Sequence, residues 1–262
     1  MAKIFLTAQN IDVYEGDNLD MFARTGETTA DQVYRAGASG LILGHSEVGD
    51  SPAVVRKKLL TICNQKHTEK YLLNNTLLIG ETWEEYQDHS PAMIAEIVND
   101  RLVAILKNVP KKYLKSLVIG YEPKWGSRGS GHDNKPPPSS ELISVVCQKI
   151  HSVLIDFNCS AVPIIYGGRS TSERTEEILA DKNIEGLILG SACNSVEKTM
   201  DIANVMTRIR PNKRKVLHAN FKAYNLADSY QAYLKAFMTL DNNFTIYISP
   251  CHTDLREVAE AF

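Results

Sequence analysis

No pair of cysteines sits at metal-ligand spacing in this 262-residue chain. Its five cysteines, Cys63, Cys147, Cys159, Cys193 and Cys251, are an odd number at wide, irregular intervals. Such spacing fits neither a disulfide framework nor a structural zinc site, so thiols in a reducing compartment are expected. Long apolar runs are missing as well. Nothing approaches the ~20 residues that span a bilayer, and the first residues carry no signal-peptide pattern. There is no excess of positive charge: 29 Lys and Arg against 31 Asp and Glu leave a net charge of −2. No basic field therefore recruits nucleic acid or an anionic membrane, and Lys213-Arg214-Lys215 reads as a solvated loop. The glycine fingerprint Gly-x-Gly-x-x-Gly is absent after the first strand, which argues against a dinucleotide fold. A soluble cytoplasmic globular protein is expected, 44% hydrophobic and 23% charged, and long enough to bury a sizeable core.

What the chain does contain is repetition. Apolar runs with strand character recur at 3–9, 40–44, 76–80, 116–122, 162–168, 186–190, 215–221 and 244–249. "GLILG", "LLIG", "LVIGYE" and "GLILGS" are almost continuously apolar, as parallel strands covered on both faces should be. Amphipathic segments lie between them. Over 53–63, for instance, Val55, Leu59 and Ile62 share one helical face. Eight strands and eight helices in strict alternation, about 33 residues per unit, predict an α/β fold with a parallel sheet and helical crossovers. At this length a single closed (β/α)8 barrel over residues 1–262 fits better than an open sheet. "DNKPPPSS" (133–140) reads as a rigid insertion ahead of a helix capped by Ser139 or Ser140. Further helices are expected over about 226–240 and near the end, where Leu255, Val258, Ala259 and Phe262 share a face.

Chemistry in a barrel belongs at the C-terminal ends of the strands. Those positions carry Gln9-Asn10, His45-Ser46-Glu47, Gly80-Glu81, Glu122, Gly167-Gly168-Arg169, Gly190-Ser191, Asn220, Lys222 and Pro250. Taken singly, each has a bland explanation. A lone strand-end histidine is more often structural, and most lysines are solvated. The glycines serve turns as readily as they serve an anion. On one barrel face, however, His45, Glu122 and Lys222 beside two glycine turns make a base, an electrophile, a cation and an anion cradle. Asn194-Ser195 can cap a helix aimed at the same anion.

At these residues the sequence resembles the triosephosphate isomerase family. "LILGHSE" (41–47) is similar to its histidine loop, and "GYEPKWGSRGSG" (120–131) to its catalytic glutamate and lid. "IIYGGRS" (164–170) and "LILGSACNS" (187–195) are similar to its two phosphate loops. "TAQN" (7–10) and "RTGETT" (24–29) resemble its third strand and subunit-contact loop. One piece is displaced: "RKVLHANFKAYN" resembles the family's opening strand, yet here it comes near the end. The resemblance thus implies a TIM barrel circularly permuted by two βα units, which a ring without edge strands allows.

The resemblance also implies an aldose–ketose isomerase of glycolysis and gluconeogenesis, acting on dihydroxyacetone phosphate and D-glyceraldehyde 3-phosphate. Glu122 is then the base and His45 the electrophile, a division of roles known for that family rather than derived from these residues. Lys222 and Asn220 meet the anionic substrate. Gly129, Ser130, Gly168, Arg169, Gly190 and Ser191 hold the phosphoryl group, with Ser46 and Glu47 in support. Trp125, Gly126, Ser127, Arg128, Gly129, Ser130 and Gly131 form a lid that excludes water. No metal and no cofactor is implied, and the partner is a second copy of the chain through the loop around Thr25-Gly26-Glu27. The sequence departs from the family at Arg169, where a serine is usual, at Ser191 for glycine, and at Val48-Gly49 for basic residues. The lid is also one residue longer. These departures leave two rivals: isomerisation of another short sugar phosphate such as a tetrulose phosphate, and a weakly active sugar-phosphate-binding barrel.

Overall fold

The computed structural model describes residues 1–13, 25–64 and 73–261. Eight parallel strands close into a ring in chain order: β1 (Lys3–Ala8), β2 (Gly40–Leu43), β3 (Thr76–Ile79), β4 (Val118–Tyr121), β5 (Ile164–Gly167), β6 (Ile184–Leu189), β7 (Lys215–Asn220) and β8 (Phe244–Ser249). The ring shuts where β1 pairs with β8, Lys3 opposite Thr245 through Leu6 opposite Ile248. All eight apolar runs become strands. Their alternation divides two cores. Ile42, Leu78, Val118, Ile165, Ile188, Val216 and Tyr247 point inward and fill the barrel. Their neighbours, such as Leu41, Leu43, Leu77, Ile119, Leu187, Leu217 and Ile246, face the helical layer. Each fully buried aliphatic side chain contributes about 1.5–3 kcal/mol, which is why both faces of these strands are apolar.

The helices are α1 (Ala30–Arg35), α2 (Pro52–Asn64), α3 (Trp83–Asp88), α4 (Pro91–Leu106), α5 (Lys111–Leu114), α6 (Ser140–Asp156), α7 (Ser172–Ile178), α8 (Val196–Ile209), α9 (Tyr230–Phe237) and α10 (Leu255–Glu260). The expectation of one helix per strand fails in the third unit, which carries α3, α4 and α5. Local chemistry explains the division. Thr82 and Glu85 form a reciprocal capping box that starts α3, and His89 leaves the helix in an extended conformation. Ser90 then caps α4 and Pro91 takes its first turn, where a missing N–H costs nothing. Pro110 starts α5. Ser139, one of the two expected caps, accepts from the Leu142 amide and opens α6. The helix expected from about 226 begins only at Tyr230, capped by Ser229. The residues before it serve another element: the Asp228 carboxylate accepts from Val196 N at 2.8 Å, the first amide of α8. Val55, Leu59 and Ile62 on α2, and Leu255 and Val258 on α10, are buried as their spacing predicts. Phe262, and Arg24 of the "RTGETT" loop, lie outside the described residues.

The barrel interior also holds a polar cluster. His218 on β7 is fully buried, with Nε2 2.7 Å from Ser249 Oγ and Nδ1 3.0 Å from Thr76 Oγ1. Thr7 Oγ1 lies 2.6 Å from the same serine oxygen. The cluster satisfies its own polar atoms, as a dry interior requires. Among the described residues no helix is long and apolar enough to cross a membrane.

Candidate active site

Strand ends β2, β4 and β7 deliver the three chemical groups to one mouth of the barrel. Gly80, after β3, lets β4 come close: a Cβ there would lie 1.9 Å from the Glu122 carbonyl oxygen. Glu122 follows β4 and is buried. Its Oε1 lies 3.5 Å from His45 Nε2 and accepts from Ser127 Oγ at 3.2 Å. Its Oε2 accepts from the Ser46 amide at 3.1 Å. His45 is oriented from behind, since the Glu47 amide donates to its Nδ1 at 3.1 Å. An Nδ1 that accepts carries no proton, so the neutral ring keeps its proton on Nε2, facing Glu122 and the cleft.

Lys222 reaches the same mouth through an unusual backbone. Its φ is +51°, a left-handed conformation that costs a non-glycine residue on the order of 1–3 kcal/mol. The turn is pinned from both sides. Gln9 Nε2 donates to the carbonyl oxygens of Lys222 (3.0 Å) and Ser249 (3.2 Å), and Lys222 N donates to Asn220 Oδ1 at 3.3 Å. Its ammonium forms an ion pair with the Glu47 carboxylate. Burial works to lower the Lys222 pKa, but Glu47, with Tyr224 and Glu122, outweighs it and the net shift is upward. A fixed cation therefore stands beside the Glu122–His45 pair.

His45, Glu122, Ser127, Arg128, Gly168, Arg169, Gly190, Ser191, Asn220 and Lys222 line one cleft. Gly168 has φ +148°, and a Cβ there would lie 2.6 Å from Tyr166 Oη. That turn is therefore restricted to glycine. Gly129 and Ser130 are not brought to the cleft. The Gly129 amide donates to both carboxylate oxygens of Asp133 at 3.0 Å, and Ser130 Oγ donates to the Trp125 carbonyl at 3.0 Å. Arg169 lines the cleft, but its guanidinium donates to backbone carbonyls of the segment 126–136.

One site-supporting residue had only a weak signal in the sequence. Glu81, two residues past the end of β3, is fully buried and accepts from Trp125 Nε1 (2.8 Å) and Tyr121 Oη (3.1 Å). Burial raises its pKa, against the pull of those hydrogen bonds. Trp125 opens the 125–131 segment and packs against Tyr86 (ring centroids 4.1 Å apart) and edge-on to Trp83 (5.3 Å). Its polar end is thus held by Glu81 and its ring by the α3 aromatics. The signal was an acidic residue at a strand's C-terminal end.

The Glu122 carboxyl and His45 imidazole in near contact, the Lys222 ammonium and the glycine turns gather at the C-terminal mouth of a closed parallel barrel, the arrangement of a (β/α)8-barrel enzyme. Comparison with known proteins narrows the class. The sequence pattern of the family described as triosephosphate isomerase matches residues 1–206. A triosephosphate isomerase of Borrelia garinii subsp. bavariensis is 30% identical over 210 residues, 78% of this chain and 76% of that protein. One from Borrelia hermsii is 28% identical over 211 residues, 79% and 78% of the two chains. One from Mycoplasmoides gallisepticum is 29% identical over 174 residues, and the match spans 65% of each chain. The chain belongs to the triosephosphate isomerase family, a family of isomerases.

Proposed function

We propose that the protein interconverts dihydroxyacetone phosphate and D-glyceraldehyde 3-phosphate by proton transfer through an enediolate. The observation that carries the reading is the pair formed by Glu122 and the Nε2 side of His45, with the Lys222 cation beside it. Glu122 takes the proton from the carbon next to the carbonyl as that C–H bond breaks. His45 donates from Nε2 to the carbonyl oxygen and recovers a proton from the neighbouring hydroxyl. Glu122 then returns its proton to the adjacent carbon, which completes the ketose–aldose exchange with no net change in atoms. Lys222 and Asn220 stabilise the negative charge that develops on the oxygens. In the present geometry Glu122 is held by Ser46 and Ser127, so substrate must exchange those bonds for its own. Residues 125–131 act as the lid. Gly168, Gly190 and Ser191 border the phosphoryl site, and the amides of Gly129 and Ser130 join them only when the lid closes.

The same reading includes a circular permutation. It is supported by where the family match stops, at residue 206. The two βα units beyond it hold Asn220 and Lys222, and β8 pairs directly with β1. It also includes a cytoplasmic homodimer through the loop around Thr25-Gly26-Glu27, whose residues are exposed. Light scattering tests the dimer. Coupled assays with glyceraldehyde 3-phosphate and with tetrose phosphates test the reaction, alongside Glu122→Ala. Removing the base is expected to lower turnover by about 10²–10⁴-fold or more. Triose turnover unchanged by Glu122→Ala would sink the mechanism. Turnover with tetroses alone would favour the rival substrate, for which Arg169 and Ser191 at the cleft are the structural argument. Binding without turnover would leave only a sugar-phosphate-binding barrel.

A further inference from the structure

Arg169 stands in a glycine turn beside the cleft, yet its donors are used elsewhere. Nε donates to the Gly126 carbonyl at 3.2 Å, Nη1 to those of Lys135 (2.6 Å) and Asp133 (3.3 Å), and Nη2 to that of Pro136 (3.3 Å). A guanidinium has five N–H donors and no acceptor, so little of it remains for a phosphoryl group. The carbonyls belong to both stems of the 125–131 segment, one before its tip and the others in the proline-rich insertion after it. Arg174 continues the brace, donating from Nη2 to the Pro138 carbonyl at 2.7 Å. On the outer stem His132 stacks on Trp83, ring centroids 4.9 Å apart, and Lys135 lies over the same ring at 5.4 Å.

The tip is held differently. Both carboxylate oxygens of Asp133 accept from the Gly129 amide at 3.0 Å. That bond turns the amide toward the outer stem, and Gly129 itself sits at φ +79°. A carboxylate offers that amide the same kind of charged oxygen acceptor as a phosphoryl group. The contact is solvent-exposed, and exposed charge-assisted bonds are weak enough to exchange.

We infer that Arg169 and Asp133 are lid-positioning residues: Arg169 ties the two stems of the lid together, and Asp133 occupies the Gly129 amide that a phosphorylated ligand must take over as the lid closes. The inference rests on residues 125–131 being the lid of the proposed reaction, and it assigns Arg169 a role other than phosphate ligand. A bound dianion repels the Asp133 carboxylate and competes for its donor, so ligand arrival itself releases the tip.

Three variants test this: Asp133→Ala, Arg169→Met and Arg169→Lys, each read by inorganic phosphate binding in calorimetry and by hydrogen–deuterium exchange over 126–138. Asp133→Ala is expected to tighten inorganic phosphate by about 3- to 10-fold, the effect of freeing one hydrogen-bond donor. A merely structural lesion would not tighten it. Both Arg169 variants are expected to speed exchange over 126–138 by about tenfold, because a single ammonium cannot span four carbonyls. Phosphate affinity should then stay within about threefold of the parent protein. The inference is overturned by phosphate binding that Asp133→Ala leaves unchanged or weakens, or by exchange unchanged in the Arg169 variants. It is also overturned if Arg169→Met loses phosphate affinity by about tenfold and Arg169→Lys restores it, the pattern of a phosphate-binding cation. Neither readout requires turnover, so an enzyme inactive on triose phosphate would refute the proposed reaction and leave the positioning roles to these measurements.

Discussion

Acid should weaken this barrel from the inside, through His218. Its imidazole is fully buried between Thr76 and Ser249. Burial above all pushes its pKa down from 6.5 to about 3, and a proton on His45 would act in the same direction. The unfolded chain returns the ring to water, where it titrates near 6.5. Between those two values the unfolded state binds a proton that the folded state refuses, so stability falls as pH falls through this window. The loss is small above about pH 7, reaches about 2 kcal/mol near pH 5, and approaches about 5 kcal/mol below pH 3. Urea unfolding of the parent protein and of His218→Gln at about pH 7 and pH 5 isolates the effect. Glutamine keeps a donor and an acceptor for the two hydroxyls but cannot titrate. The parent protein is expected to lose about 2 kcal/mol more than the variant on acidification. Equal losses, within about 0.5 kcal/mol, would refute the assignment of a neutral buried ring, whatever the variant does to stability at neutral pH.

Other perturbations reach the site through its supports. Gly80→Ala places a Cβ 1.9 Å from the Glu122 carbonyl oxygen; forcing β3 and β4 apart is expected to cost about 3 kcal/mol or more in urea unfolding. Trp125→Phe removes the donor to Glu81 and leaves Oε1 of a buried carboxyl group unpaired. A stability loss of about 1–3 kcal/mol should appear, with hydrogen exchange quickened at 125–131. Lys58 is buried, and its Nζ contacts Asp50 at 2.6 Å and Asn10 at 2.8 Å. Lys58→Met strands the carboxylate and should cost about 3–5 kcal/mol by thermal or urea unfolding, an outcome excluded if the variant is as stable as its parent.

Particular residues show how much could be read before the fold was known. The eight strands were legible because burial on both faces writes itself as unbroken apolar runs, and His45, Glu122 and Lys222 because each ends such a run. Their arrangement around one cleft follows from the ring, in which consecutive strand ends must share a mouth. Helix number was less legible, since the capping box at Thr82 and the proline at position 91 act within a few residues and override a one-helix-per-strand rule. Arg169 illustrates a deeper limit. Its place in the sequence puts it beside the anion turns, but its donors are claimed by carbonyls 33 to 43 positions away, and no pattern in the chain announces that geometry. Glu81 was visible as an acid at a strand end; only its burial, and the indole it holds, reveal its task.

The ion pair between Lys222 and Glu47 joins residues 175 positions apart in the chain. It spans from the turn after β7 to the loop after β2, so it exists only when the ring has shut between β8 and β1. A nascent chain has made Glu122 and His45 long before Lys222 leaves the ribosome, and a half-formed sheet does not bring the three together. On the proposed mechanism, activity is thus a late signal of folding. Recovery of activity during refolding should track closure of the ring rather than growth of helix content, and it should be slow in the manner of distant contacts.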